Sequence, residues 1–103
     1  MIVRMTRWRA RPGTDAESRH LWESAVRPIW WSQPGLVRAH LLAATDSDER
    51  MTFSVWRTAD DYDAFVRSPD LVRVVEAYDH IYTDDGRPRA QDWTVLTEDW
   101  QEA

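Results

Sequence analysis

Three side chains in this sequence could steer a proton or hold a charged oxygen on an organic ligand: Arg4, His40 and Tyr62. A guanidinium inside a pocket favours an ionised phenol or carboxylate. An imidazole titrates near neutrality and can act as a general base if its strand borders the pocket. A phenol hydroxyl can hold a ligand oxygen. Thr6 and Thr52 each offer one hydroxyl donor in the same region of the chain. Trp56, Trp8, Trp22 and Phe65 could supply flat walls, since seven tryptophans in 103 residues is a high proportion. Such walls suit a flat aromatic ligand. Every one of these residues also has a plain structural role open to it. Tryptophans fill cores, Arg4 can pair with a carboxylate at a sheet edge, and the threonines can be packing residues. His20, His40 and His80 lie on different elements with no ligand spacing, which fits surface or structural histidines better than a metal site.

The elements that must position these groups follow from periodicity. Residues 2–10 alternate as a strand, with Ile2, Arg4, Thr6 and Trp8 on one side. Pro12-Gly13 ends it, and Thr14-Asp15-Ala16-Glu17 reads as a capping box. Leu21, Trp22, Ala25, Val26, Ile29 and Trp30 follow as a helical stripe, and Pro28 should kink it or end its regular part near Arg27. After Pro34-Gly35, strands are predicted over 36–44 and 50–56, joined by the polar turn 46–49. Thr58 caps a short helix whose buried side is Ala59, Tyr62, Phe65 and Val66. Ser68-Pro69 restarts a helix carrying Leu71, Val72, Val74, Val75, Tyr78 and Ile81. Residues 89–98 form the last strand. The order is βαββαβ with a split second helix. It predicts an α+β, ferredoxin-like domain spanning 1–103, with a four-stranded antiparallel sheet and helices on one face.

Composition narrows the function classes. The chain has no cysteine, which excludes disulfides, thiolate metal sites and a cysteine nucleophile. It has no lysine, which excludes Schiff-base chemistry, and no asparagine. A net charge of −5 without a basic stripe argues against nucleic-acid binding. No apolar run approaches the ~18–20 residues of a membrane span, and the N-terminus lacks the apolar core of a signal peptide. A cytoplasmic location is the default expectation. The acidic runs 46–49 and 60–63 read as a solvated turn and a helix N-terminus, without the ligand order of a calcium loop.

Three motifs together resemble the antibiotic biosynthesis monooxygenase family of the dimeric α/β-barrel superfamily. They are Arg9-Ala10-Arg11-Pro12-Gly13, the second Pro34-Gly35, and Phe53-Ser54-Val55-Trp56-Arg57-Thr58 followed by Tyr62. The resemblance covers roughly residues 2–98. It implies a homodimer with sheets packed face to face and a pocket between sheet and helices. For the branch that oxidises aromatic polyketides with O₂ it implies no metal, flavin or haem. Trp56 and Tyr62 stand where that branch has Trp and Tyr, with Thr52 in place of its Asn. The haem-degrading branch uses Asn, Trp and His at positions that here are Thr6, Phe65 and Val75 or Glu76.

The function this implies is a cofactor-independent monooxygenase for an aromatic or polycyclic molecule. Trp56 would stack on the ligand, and Tyr62, His40 or Arg4 would polarise or deprotonate a phenol. A non-enzymatic small-molecule-binding dimer of the same fold is the alternative, and haem binding a third. The dimer is also expected from the sheet itself. Met51, Phe53 and Val55 make the face away from the helices too apolar to stay wet.

Overall fold

The computed structural model describes residues 1–101. Its strands are β1 (Ile2–Arg9), β2 (Leu36–Ala43), β3 (Glu49–Trp56) and β4 (Arg89–Thr94). Its helices are α1 (Asp15–Leu21), α2 (Arg27–Trp31), α3 (Ala59–Arg67) and α4 (Pro69–Ala77). The sheet runs β2-β3-β1-β4 with every pair antiparallel, which is the predicted ferredoxin-like α+β arrangement. Helices cover the face that carries Trp8, Trp56 and Ser54.

Several local signals act as read. Thr58 Oγ1 accepts from the Asp61 amide at 3.1 Å, and Ser68 Oγ accepts from the Asp70 amide at 3.3 Å. These caps satisfy amide donors that the first helical turn leaves orphaned. Ser68 itself is extended, so α3 and α4 are separate helices meeting at a corner. Gly35 needs its missing side chain: its φ is +77°, and a Cβ there would come within 2.1 Å of the Asp61 carboxylate.

The first helical stretch departs from expectation twice. Thr14 caps nothing with its side chain; its hydroxyl donates back to the Arg11 carbonyl at 2.7 Å. Glu17 reaches His80 instead of closing a capping box. Of the two outcomes expected of Pro28, a stop is not seen, and the regular helix is instead interrupted just upstream of Arg27. A π-helical turn, Trp22–Val26, precedes it, and the helix continues to Trp31. The wider turn absorbs the irregularity upstream, where π-bulges accommodate a locally mismatched ladder. Ala25, Ala59 and Val66 are exposed, so their predicted places on buried stripes do not hold. Val72 is also exposed. The last strand ends at Thr94, short of residue 98. The Val95 amide then bonds to the Met1 carbonyl, and residues 95–100 border the outer sheet face beside Val3, Phe53 and Val55.

The core is an aromatic cluster. Trp56 is wholly buried, stacks on Phe65 at 4.8 Å between ring centroids, and lies 6.2 Å from Trp30 and 6.0 Å from Tyr62. Its indole N–H donates to Ser54 Oγ at 3.0 Å, which removes the penalty of burying that donor. Trp8, Tyr78 and Tyr82 form a second aromatic group at the other end of the sheet. The Tyr78 hydroxyl ties it to α1 through the Ser18 carbonyl. Because Trp56 fills the junction between β3 and α3, Trp56→Ala should cost about 3–5 kcal/mol of stability, read from urea unfolding. A loss below about 1 kcal/mol would show that the neighbouring rings collapse into its place.

Candidate functional site

Strand register decides which candidates can meet. Arg4 lies between Ser54 of β3 and Asp92 of β4, and Thr6 lies between Thr52 and Ala90. Since side chains alternate across a strand, these two rows share the helix-facing side with Trp8. Above them is a cavity of about 240 Å³. Its floor is Arg4, Thr6, Thr52 and Ser54; its roof is Leu71, Val74 and Val75 from α4 and its start. Trp8, Trp30, Tyr78 and Tyr82 close the sides, with Arg87 and Pro88 at the solvent end. A polar floor under an apolar roof can take a flat ring with an oxygen on one edge.

The floor keeps unused donors. Among the described residues, no hydrogen bond takes up the Thr6 or Thr52 hydroxyl, and Arg4 makes no ion pair. Arg4 Nη1 instead donates to the Tyr62 hydroxyl oxygen at 3.0 Å. The Tyr62 hydroxyl donates in turn to Asp92 Oδ1. This Arg4–Tyr62–Asp92 chain holds the guanidinium at the edge of the cavity. Trp30 Nε1 is buried without a partner, a cost of about 1–3 kcal/mol left standing in a residue of the wall.

The chain also sets the state of the phenol. Burial first, then the hydrogen bond to Asp92, raises the Tyr62 pKa above its ordinary value, with Arg4 opposing. Burial also raises Tyr78 and Tyr82 strongly. All three tyrosines therefore stay neutral where a free phenol would begin to ionise.

The candidates are thus sorted by position. Arg4, Thr6, Thr52 and Trp8 line one cavity. Tyr62 is 6% exposed and stands behind Arg4 rather than in the wall. Trp56 and Phe65 are core residues stacked on each other, so neither presents a face to the cavity. Trp22 borders a different depression with Trp31 and Val37. His40 lies across from Phe53, on the outer face of the sheet, because a register shift after Leu36 sets the phase of β2. It therefore cannot reach the cavity as a base. Among the described residues, no group of three or more His, Asp and Glu is placed to hold a metal ion.

Asp92 and Tyr82 enter the site without a sequence signal, and Ser54 and Tyr78, legible only as motif and packing residues, join them. Alternation with Trp93 places Asp92 on one side of the last strand but does not give its partner Tyr62, thirty residues away. A larger depression of about 430 Å³ runs along the end of β1 and β4. Its arginines are exposed and largely matched, as in Arg7–Glu49 at 3.7 Å, so it is a solvated charged surface.

Comparison with known proteins agrees with this architecture. The family model for antibiotic biosynthesis monooxygenase matches residues 1–77. The monooxygenase ActVA-Orf6 of Streptomyces coelicolor, solved in complex with the ligand nanaomycin D, superposes with a TM-score of 0.79 at 20% identity, over 98% of this chain and 92% of that one. SnoaB of Streptomyces nogalater, a cofactor-independent oxygenase, gives 0.73 at 20% identity over 94% of each chain. Rv0793 of Mycobacterium tuberculosis gives 0.71 at 18% identity, over 94% of this chain and 96% of that one. At these identities the superpositions establish the fold. No curated protein matches the chain in sequence.

The raised tyrosine pKa values have a measurable consequence. Ultraviolet titration near 295 nm should show less tyrosinate at pH 10 than three ordinary tyrosines, each about half ionised there, would give. The unfolded chain ionises there more readily than the folded one. Stability is therefore intact below pH about 10 and falls as pH rises beyond it. One equivalent of tyrosinate at pH 10 that disappears in Tyr62→Phe would contradict the burial of that phenol.

Proposed function

Because the chain belongs to the antibiotic biosynthesis monooxygenase family, we propose that it is a cofactor-independent monooxygenase acting on a small aromatic molecule in the cavity beneath α4. The observation that carries this reading is the cavity floor. Arg4 is held by Tyr62, and two threonine hydroxyls are free to donate, all under an apolar roof. Such a site stabilises an oxyanion in a water-poor space, which is the main task when the substrate itself reduces O₂. At about 240 Å³ the cavity lies below the ~300–1,000 Å³ range of drug-sized sites, so one or two rings fit better than four.

In this reaction a hydroxylated ring loses its O–H proton, and Arg4, Thr6 and Thr52 stabilise the resulting anion. Among the described residues no Asp, Glu or His lines the cavity, so the proton leaves to water at the solvent end. The anion passes an electron to O₂, and the radical pair joins to form a C–O bond. Loss of water from the hydroperoxide then leaves a carbonyl. Overall a CH₂ carbon and O₂ become C=O and H₂O. The carbon supplies all four electrons, so no external reductant is needed. Tyr62 and Asp92 act through Arg4 as positioning residues.

One observation favours the non-enzymatic reading instead. Trp56, the residue expected to stack on a substrate, is sealed in the core, which leaves ligand orientation to the floor and roof alone. A binding protein would quench its tryptophan fluorescence on ligand addition without forming product. A homodimer through the outer sheet face belongs to the same proposal. Its support is the apolar character of Phe53, Met51 and the half-exposed Leu42 and Trp93 on that face.

Under air, naphthols and hydroxyanthrones should give oxygen uptake and quinone with the protein present. Arg4→Met should lower kcat/KM by about 10²–10³, the usual cost of one oxyanion donor, with circular dichroism unchanged. Uptake equal to the protein-free control across the panel would remove the enzymatic reading. Sedimentation at micromolar concentration should show a dimer, and a monomer there would refute the face-to-face assembly.

A further inference from the structure

The charge of the cavity is opposite to that of the molecule. The chain carries 18 acidic and 13 basic residues, yet among the described residues the cavity is lined by two arginines and by no Asp, Glu or His. From this sorting we infer that the cavity selects a ligand arriving as an anion, a one- or two-ring aromatic carboxylate. The inference rests on the reading above that this cavity is the ligand site.

The details favour an acceptor-only group. Arg4 has no ion-pair partner among the described residues, and its nearest cross-strand carboxylate, Asp92, is engaged by the Tyr62 hydroxyl. The phenol between them separates the two charges. Arg87, at the solvent end, is held from outside the cavity by Asp79 at 2.7 Å and lies 5.4 Å over the Tyr82 ring. Ser54 Oγ accepts from the Trp56 indole and keeps its own proton to offer. Thr6 and Thr52 can also donate. The Ser54, Thr6 and Thr52 hydroxyls and the two guanidiniums can thus donate to an oxygen, and the cations cannot accept at all. The Tyr78 and Tyr82 hydroxyls are turned away to the Ser18 and Val75 carbonyls. An ionised carboxylate only accepts, and unlike a neutral carbonyl it also brings the negative charge that an unpaired guanidinium can match. The apolar roof of Leu71, Val74 and Val75 suits the ring behind it.

A carboxylic acid and a phenol differ here in a testable way. With a pKa near ~4, the acid arrives charged at neutral pH; a phenol near ~10 arrives neutral. Burying a charge beside an unpaired guanidinium is favourable only when the charge is present, so the site should rank the acid above its neutral analogues.

The test uses the full chain at pH 7.5 and follows quenching of the tryptophans, two of which line the cavity. The probes are 2-naphthoate, 2-naphthamide and 2-naphthol, which share one ring system. Naphthoate should bind about tenfold or more tightly than the amide. Arg4→Gln should abolish that preference by weakening naphthoate far more than the amide. Arg87→Gln, at an exposed position, should reduce the preference in part, with circular dichroism checking that the fold is kept. Equal binding of acid and amide would overturn the inference. So would an Arg4→Gln effect equal on both probes, or no binding of naphthoate at millimolar concentration. Oxygen uptake separates the two claims. A naphthoate preference without uptake from hydroxynaphthoates sinks the reaction and leaves the anion site. Uptake from naphthol with acid and amide binding equally does the reverse.

Discussion

Everything near the candidate site depends on how the Trp56 indole is buried. A tryptophan at the end of a central strand brings a large apolar area and one donor that must be matched. The Ser54 hydroxyl, two residues back on the same face, matches it. With its donor satisfied, the ring can sit wholly inside, where Phe65 stacks on it. That contact fixes α3 on the sheet. Tyr62, one turn before Phe65, then stands over the row that holds Arg4 and Asp92. Space closed beneath α3 leaves the open volume beneath α4.

The electrostatics follow from this placement. Cross-strand neighbours Arg4 and Asp92 would ordinarily pair directly. A phenol inserted between them accepts from one and donates to the other. The arginine is thereby held without being neutralised by contact, and the phenol is kept protonated by burial and by its carboxylate acceptor. A cation in this state is unusual in a chain with an excess of acid, and it faces the cavity rather than solvent. Elsewhere the arginines meet acids in exposed pairs such as Arg11–Asp84 and Arg73–Asp70, which contribute little individually.

Much of the fold was legible because its signals are local. The caps at Thr58 and Ser68, the two Pro-Gly breaks and the period-two runs each act within a few residues. Where expectation failed, a distant partner had intervened. Glu17 fits a capping box by spacing, but His80 from beyond α4 takes its carboxylate. Pro28 reads as a kink or a stop; the helix continues past it, with Trp30 packed against Trp56 and Phe65. His40 is set on the outer face by a register shift at the start of β2, which no composition rule marks. Of the site, Arg4, Thr6, Thr52 and Trp8 could be grouped from strand alternation alone, and the structure brings them together.

The sequence by itself determined the element order, the shared face of the first strand's even residues and the family, since these rest on periodicity and short motifs. Only the tertiary structure decided the roles of the aromatic residues. Trp56 and Tyr62 both sit beside a possible pocket by spacing, but spacing does not say which volume is filled. Close packing of Trp56 with Trp30 and Phe65 filled it and moved the cavity toward α4. Asp92 became part of the site for the same kind of reason. Its partner lies on another element, and a hydrogen bond across thirty residues exists only once the sheet and α3 are docked.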